Sequence, residues 1–244
     1  VHYSTMQKVS FGKMTFDNCK VDNGMILSLY NDKTNPLNVE EIKIINPRKS
    51  IGGNIFEINT TTDKLINIGK LSIDGANGTG VFSFTRPNVD KLIFDNSHFL
   101  TAGRIAFVNT FVGELLLNKC TNGILGNDGI FRDLNTKIKL FNLINSEFDS
   151  VTTCPVTFEP TFEKIQGNNL IFNPDTAGEH RKVFSVGGTK SEISINNVLL
   201  KGAIWRAYHY FIEAVNMTDG YVYLNNVRHL TTLAQPAMFV TNLP

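Results

Sequence analysis

The sequence predicts an all-β fold, a right-handed parallel β-helix of about nine coils that takes in residues 1–244 as a single domain. Three observations predict it. Asparagine returns at an even interval, each time behind a short apolar run. Those runs have the composition of strands. A second ladder of strand-like runs keeps the same period. Self-similarity at such a period is the mark of a solenoid, in which each unit buries its apolar face against the next.

The beat is carried by Asn18, Asn46, Asn96, Asn145, Asn169, Asn197 and Asn226, with Gly75 and Asn118 in the two remaining places. Its steps run from 21 to 29 residues. Typical runs are Leu92-Ile93-Phe94-Asp95-Asn96, Ile193-Ser194-Ile195-Asn196-Asn197 and Val222-Tyr223-Leu224-Asn225-Asn226. Each is short, rich in β-branched and aromatic residues, and closed by a turn residue. Asparagine tolerates the left-handed backbone of a tight turn, and its side-chain amide can bond the asparagine of the next coil. The beat residues are therefore expected at the bends, as ladders pointing into the rod rather than as ligands.

The second ladder places Ile26, Phe56, Phe82, Ala106, Phe131, Thr157, Phe184, Ile212 and Phe239 at equivalent positions. Glycines 24, 53, 80, 103 and 129 precede five of these strands. Alternation then puts Glu57, Ser83, Phe107, Arg132, Phe158, Ser185 and Glu213 on the outside. Ile55, Val81, Ile130 and Val183 form a column expected to face outward as an apolar flank, although a register slip of one residue would turn it inward. Two ladders with one period imply a coil whose equivalent strands pair in parallel. Leucine-rich repeats share the period, but their leucine consensus is absent. At about 4.8 Å per coil the rod is on the order of 40 Å long. One stretch argues for a helix: Ile204, Tyr208, Phe211 and Val215 fall at helical spacing within Ala203–Val215. The ladder favours a loop followed by a strand there.

Composition narrows the function. The net charge is +1 and only 18% of residues are charged, so the electrostatic footprint of a nucleic-acid binder is missing. Eighteen Phe against one Trp point to stacked rings in the interior. Cys19, Cys120 and Cys154 have no metal spacing and read as small buried residues. The histidines at 2, 98, 180, 209 and 229 are scattered, so no metal or other cofactor is expected. Asn59, Asn77 and Asn216 begin glycosylation tripeptides of the kind that chance supplies in a chain rich in Asn and Thr. No signal peptide and no membrane-length apolar run is visible, and membrane insertion is not expected. Both ends of the sequence read as coil, and an uncapped solenoid exposes a sheet edge. The expectation is therefore an excerpt of a longer chain, or neighbours that cover the ends.

The asparagine-closed runs resemble those of the pectin-lyase-like right-handed β-helix superfamily. Leu92 to Phe99, Ile144 to Phe148 and Phe16 to Val21 carry the likeness, which extends from about residue 9 to 242. That resemblance implies a long glycan lying along the flank of the rod. It covers polysaccharide lyases, pectin-type hydrolases, and the tailspike and fibre domains of bacteriophages. Low charge, free cysteines and the missing leader look more like a virion component than a secreted lyase. The reading is a structural or glycan-recognising domain at a virion or extracellular surface, binding a cell-surface polysaccharide as receptor. Such domains usually trimerise along the rod axis, so a homotrimer is expected.

Two groups of residues are candidates for chemistry. Trp205, Arg206, Tyr208 and His209 lie in the longest insert, where aromatic faces stack on sugar rings and polar neighbours fix hydroxyls. Asp133 and Glu159 stand 26 residues apart, hence on adjacent coils, with Arg132 beside them. A carboxyl pair so placed suits glycoside hydrolysis, and the arginine suits an enolate-like lyase intermediate. Glu57 and Glu213, by contrast, are about six coils apart and cannot cooperate. The clustered calcium-binding carboxylates of pectate-lyase-type sites have no match, so no catalytic residue carries over from the resemblance. The alternative to a binding domain is a lyase or hydrolase acting on an acidic polysaccharide.

Overall fold

A computed structural model describes residues 9–31, 35–61, 66–100, 105–122, 131–150, 161–174, 181–187, 192–201, 209–215, 219–230 and 238–242. These form a β-solenoid with every strand pair parallel and no helix among them. The principal sheet stacks Val9–Asp17, Leu37–Ile45, Ile66–Asp74, Asn88–Asp95, Phe111–Asn118, Lys137–Ser150, Thr161–Pro174, Glu192–Lys201 and Tyr221–Leu230 in sequence order. The second ladder stacks Leu27–Asn31, Arg48–Thr60, Asn77–Thr85, Ile105–Val108 and Phe131–Leu134. The solenoid makes about six turns, fewer than the nine expected, with the second ladder contributing five stacked strands. Beyond them the principal sheet continues past a separate three-stranded sheet of Arg181–Gly187, His209–Val215 and Met238–Asn242. Phe211 to Val215 is thus strand, as the ladder favours, while 203–208 lie outside the described residues.

The beat asparagines do form the bends. Asn18, Asn46, Asn96, Asn145, Asn169, Asn197 and Asn226 all have φ between 47° and 55°, and Gly75 joins them at 68°. Two expectations are corrected. The left-handed residue of the fifth coil is Lys119 at φ 52°, not Asn118, which ends its strand opposite Asp95 and Ile144. The beat side chains also lie on the outside of the rod, exposed or half-buried, because a left-handed bend turns its Cβ away from the core. There they bond rung to rung: Asn46 to Asn18 at 3.1 Å, Asn169 to Asn145 at 3.1 Å, Asn226 to Asn197 at 2.8 Å. A second bend ladder, at Arg86, Asn109 and Asn135, closes the other ladder with φ of 61°, 48° and 53°.

The interior is a continuous column of aliphatic and aromatic side chains. Phe84 packs at 5.8 Å from Phe56 and 5.3 Å from Phe107, and Phe107 stacks on Phe131 at 6.0 Å. The register corrects the second ladder by one residue at two places. Leu27, not Ile26, pairs with Phe56, and Ile105, not Ala106, pairs with Phe82 and Phe131. Phe107 is accordingly buried in the column of Phe84, not outward. Ile55 is buried too: a bulge between Asn54 and Phe56 lets two successive residues point inward, so alternation fails there. Val81 is half-buried, so the two described side chains of that column form no exposed apolar flank, while Ile130 and the Val183 side chain lie outside the described residues.

Candidate functional site

The outer face of the principal sheet changes character along the rod. At its start, lysines and glutamates of successive rungs pair. Glu41 meets Lys70 at 2.8 Å, and Lys91 meets Glu114 at 2.8 Å. The hydrogen bond from Lys70 holds the Glu41 carboxyl below its usual range. Partial burial opposes ionisation of Glu114, but hydrogen bonds from Lys91 and Asn142 outweigh it and lower that carboxyl as well. In mid-rod, half-buried Ile93 and Leu116 occupy one outward column.

Beyond Leu116 that column becomes polar and uncharged. It reads Asn142, Gln166, Ser194 and Tyr223 on four successive strands in direct register. Two residues further along each strand, a second column reads Ile144, Asn168, Asn196 and Asn225. Between them lies an open groove of about 430 Å³ that runs along the rod. The described residues lining it carry no charge. Gly167 lies on its floor, and an added Cβ would point inward, 3.0 Å from Leu170 Cδ1 and 3.2 Å from Ile195 Cγ2, so these two core side chains would have to give by a few tenths of an ångström.

Hydrogen bonding separates the groove from the bends beside it. The bend amides bond one another, as in Asn226 to Asn197 at 2.8 Å, and Asn197 also donates to Asn168 of the groove at 2.9 Å. Gln166, Ser194, Asn196 and Asn225 make no side-chain hydrogen bond among the described residues. These four present unused donors and acceptors to the groove. Tyr223, 53% exposed, follows Ser194 in the same column, and Tyr221 Oη reaches Glu192 Oε2 at 3.2 Å beside it.

A second groove of about 510 Å³ lies on the same face near the start of the rod. Glu40 and Asp90 line it, with Gly69 between them. Two rungs separate the carboxylates by roughly 10 Å. Lys13 meets Glu40 at 3.6 Å across an exposed surface.

None of the candidate residues singled out in the sequence is among the described residues that line the two grooves. Trp205, Arg206, Tyr208 and Glu159 lie outside the described residues. His209 opens its strand opposite Arg181. Arg132 pairs with Ala106, and Asp133 with Phe107. No group of three His, Cys, Asp or Glu that could hold a metal exists among the described residues, and no helix there is long and apolar enough to cross a membrane.

The groove residues did leave a signal in the sequence. Asn168, Asn196 and Asn225 each precede a beat asparagine, giving doubled asparagines in three consecutive coils. Earlier coils have Asp17, Ile45, Asp74, Asp95, Asn118 or Ile144 before the bend residue, with no doubled asparagine. No protein-family model matches the chain, and no curated protein or solved structure matches it either. The class is therefore defined by architecture and surface: a parallel β-solenoid with an uncharged amide groove on its flank.

Proposed function

We propose that the protein is a glycan-recognising β-helix without catalytic activity, related to the pectin-lyase-like superfamily. It serves a virion appendage of tailspike or fibre type, or a comparable extracellular structure, and binds cell-surface polysaccharide as a homotrimer. The observation that carries this reading is the row of unengaged amides and hydroxyls at Gln166, Ser194, Asn196 and Asn225, ending in exposed Tyr223. Sugars are recognised by just these groups, with polar side chains on hydroxyls and an aromatic ring on the apolar face. The test is retention of the protein on immobilised cell-surface polysaccharides. Retention with no release of reducing ends or unsaturated uronides is the expected result.

The hydrolase reading has one observation in its favour, the Glu40 and Asp90 pair facing a groove across Gly69. Their separation of roughly 10 Å sits at the upper limit for an inverting mechanism. Polysaccharide turnover that disappears in both Glu40→Gln and Asp90→Asn would replace the binding reading with this one.

A further inference from the structure

We infer that the amide groove takes an uncharged glycan strand laid along the rod axis, with Tyr223 as the platform under one of its rings. The inference rests on the reading of this face as glycan-recognising and adds the chemical class of ligand.

Charge is the first argument. A glycan built of uronates brings a carboxylate with every sugar. Even in an open groove each carboxylate gives up part of its hydration against the wall, a loss that arginine or lysine there would offset. None is among the described residues that line this one. The nearest lysine along the strands, Lys164, is held at 3.4 Å by Glu192, which also accepts from Tyr221. A sugar hydroxyl is both donor and acceptor, and so are primary amides and serine. Gln166, Ser194, Asn196 and Asn225 match neutral sugars, and they offer nothing that favours an anion over a neutral group.

Geometry is the second argument. Equivalent residues recur about every 4.8 Å along the axis, and the two columns are separated by roughly 7 Å along the strands. A linear chain lying parallel to the axis therefore meets a polar side chain on both flanks at three of the four rungs, and Asn142 with Ile144 at the first. Four rungs, from Asn142 to Tyr223, span about 14 Å of such contact. A chain laid across the sheet would leave the columns after one rung. Tyr223 closes the track at one end, and the residue is more than half exposed although its backbone is paired within the sheet. A fixed aromatic on a rigid strand stacks a sugar at small entropic cost.

The experiment is calorimetric titration with oligomers of N-acetylglucosamine, of a neutral β-glucan and of a galactomannan, each compared with oligogalacturonate. At least one neutral series is expected to bind, with an affinity that changes less than about twofold between low and high salt, because no ion pair is screened. Tyr223→Ala should weaken it about three- to tenfold. The Gln166→Ala, Asn196→Ala double variant should abolish it while the circular dichroism spectrum stays unchanged. Preferential, salt-sensitive binding of oligogalacturonate that the double variant removes would overturn the uncharged class and leave glycan recognition standing. Neutral binding indifferent to both variants would overturn the groove as the site. Failure of every oligomer to bind would overturn this inference and the binding function together.

Discussion

Asn145 donates its side-chain amide to Asn118 Oδ1 at 3.1 Å, yet the two residues hold different positions in the coil. Asn145 sits in the left-handed bend at φ 50°, whereas Asn118 is the last residue of its strand. The amide ladder thus crosses a coil whose bend is occupied by Lys119 at φ 52°. Lysine pays about 1 kcal/mol or more for that backbone, and asparagine pays less. Lys119→Asn should therefore stabilise the protein by roughly 0.5–1 kcal/mol, and Lys119→Gly by a similar amount. A rise of a few degrees in the thermal midpoint is the expected readout. A fall in both variants would mean that the left-handed bend at 119 carries no strain.

The ring stack makes a sharper demand. Phe84 is fully buried between Phe56 and Phe107. Phe84→Ala should cost about 3–5 kcal/mol, since neighbouring coils are tied by sheet hydrogen bonds and cannot close on the cavity. Phe84→Leu should cost much less. Denaturant unfolding of both variants tests this, and equal losses would show that ring volume is not what the column requires.

Glycines on the outer face divide into two kinds. A Cβ at Gly113 would lie 2.5 Å from the Asp90 carbonyl oxygen, a backbone atom that cannot step aside. At Gly12 the nearest atom is Glu40 Oε2 at 3.9 Å, the end of a flexible side chain. Gly113→Ala should destabilise by about 1–3 kcal/mol. Gly12→Ala should be neutral or slightly stabilising, because alanine restricts the unfolded chain. The pair serves as its own control, and equal effects in the two variants would refute the distinction.

Much of this architecture is legible in the sequence, and the failures have physical causes. The period shows because stacked coils repeat the same bend, and the bend admits few residues. The inward asparagine column was a misjudgement of a different sort: periodicity says that residues align, but not which way the side chain leaves a left-handed turn. Ile55 escaped because a bulge suspends alternation, and nothing in Asn54-Ile55-Phe56 announces one. The groove was missed because polar outward positions resemble ordinary solvated surface. Its trace is the doubled asparagine before three successive bends, which acquires meaning only once the strand register puts Asn168, Asn196 and Asn225 side by side.

The same register gives Cys120 its chemistry. It follows the bend at Lys119 and is fully buried, with Sγ 3.5 Å from the carbonyl oxygens of Phe94 and Asn118. Burial pushes its thiol up to about 12. A thiol that stays protonated is a poor nucleophile, so Cys120 should resist a disulfide reagent at pH 8 until the protein unfolds. Half-buried Cys19 should react first when both are compared in a Cys154→Ser background. The sign of the pH effect follows. Folded protein holds this proton more tightly than the unfolded chain, so the stabilisation is fully present below the ordinary thiol value of 9.0 and is lost as pH rises toward about 12. Other groups titrate in that range, so the informative quantity is the difference between the parent protein and Cys120→Ala. Unfolding midpoints of the two should converge as pH increases from 9 to 11 if the parent begins as the more stable. A difference independent of pH would show that Cys120 titrates alike in the folded and unfolded states.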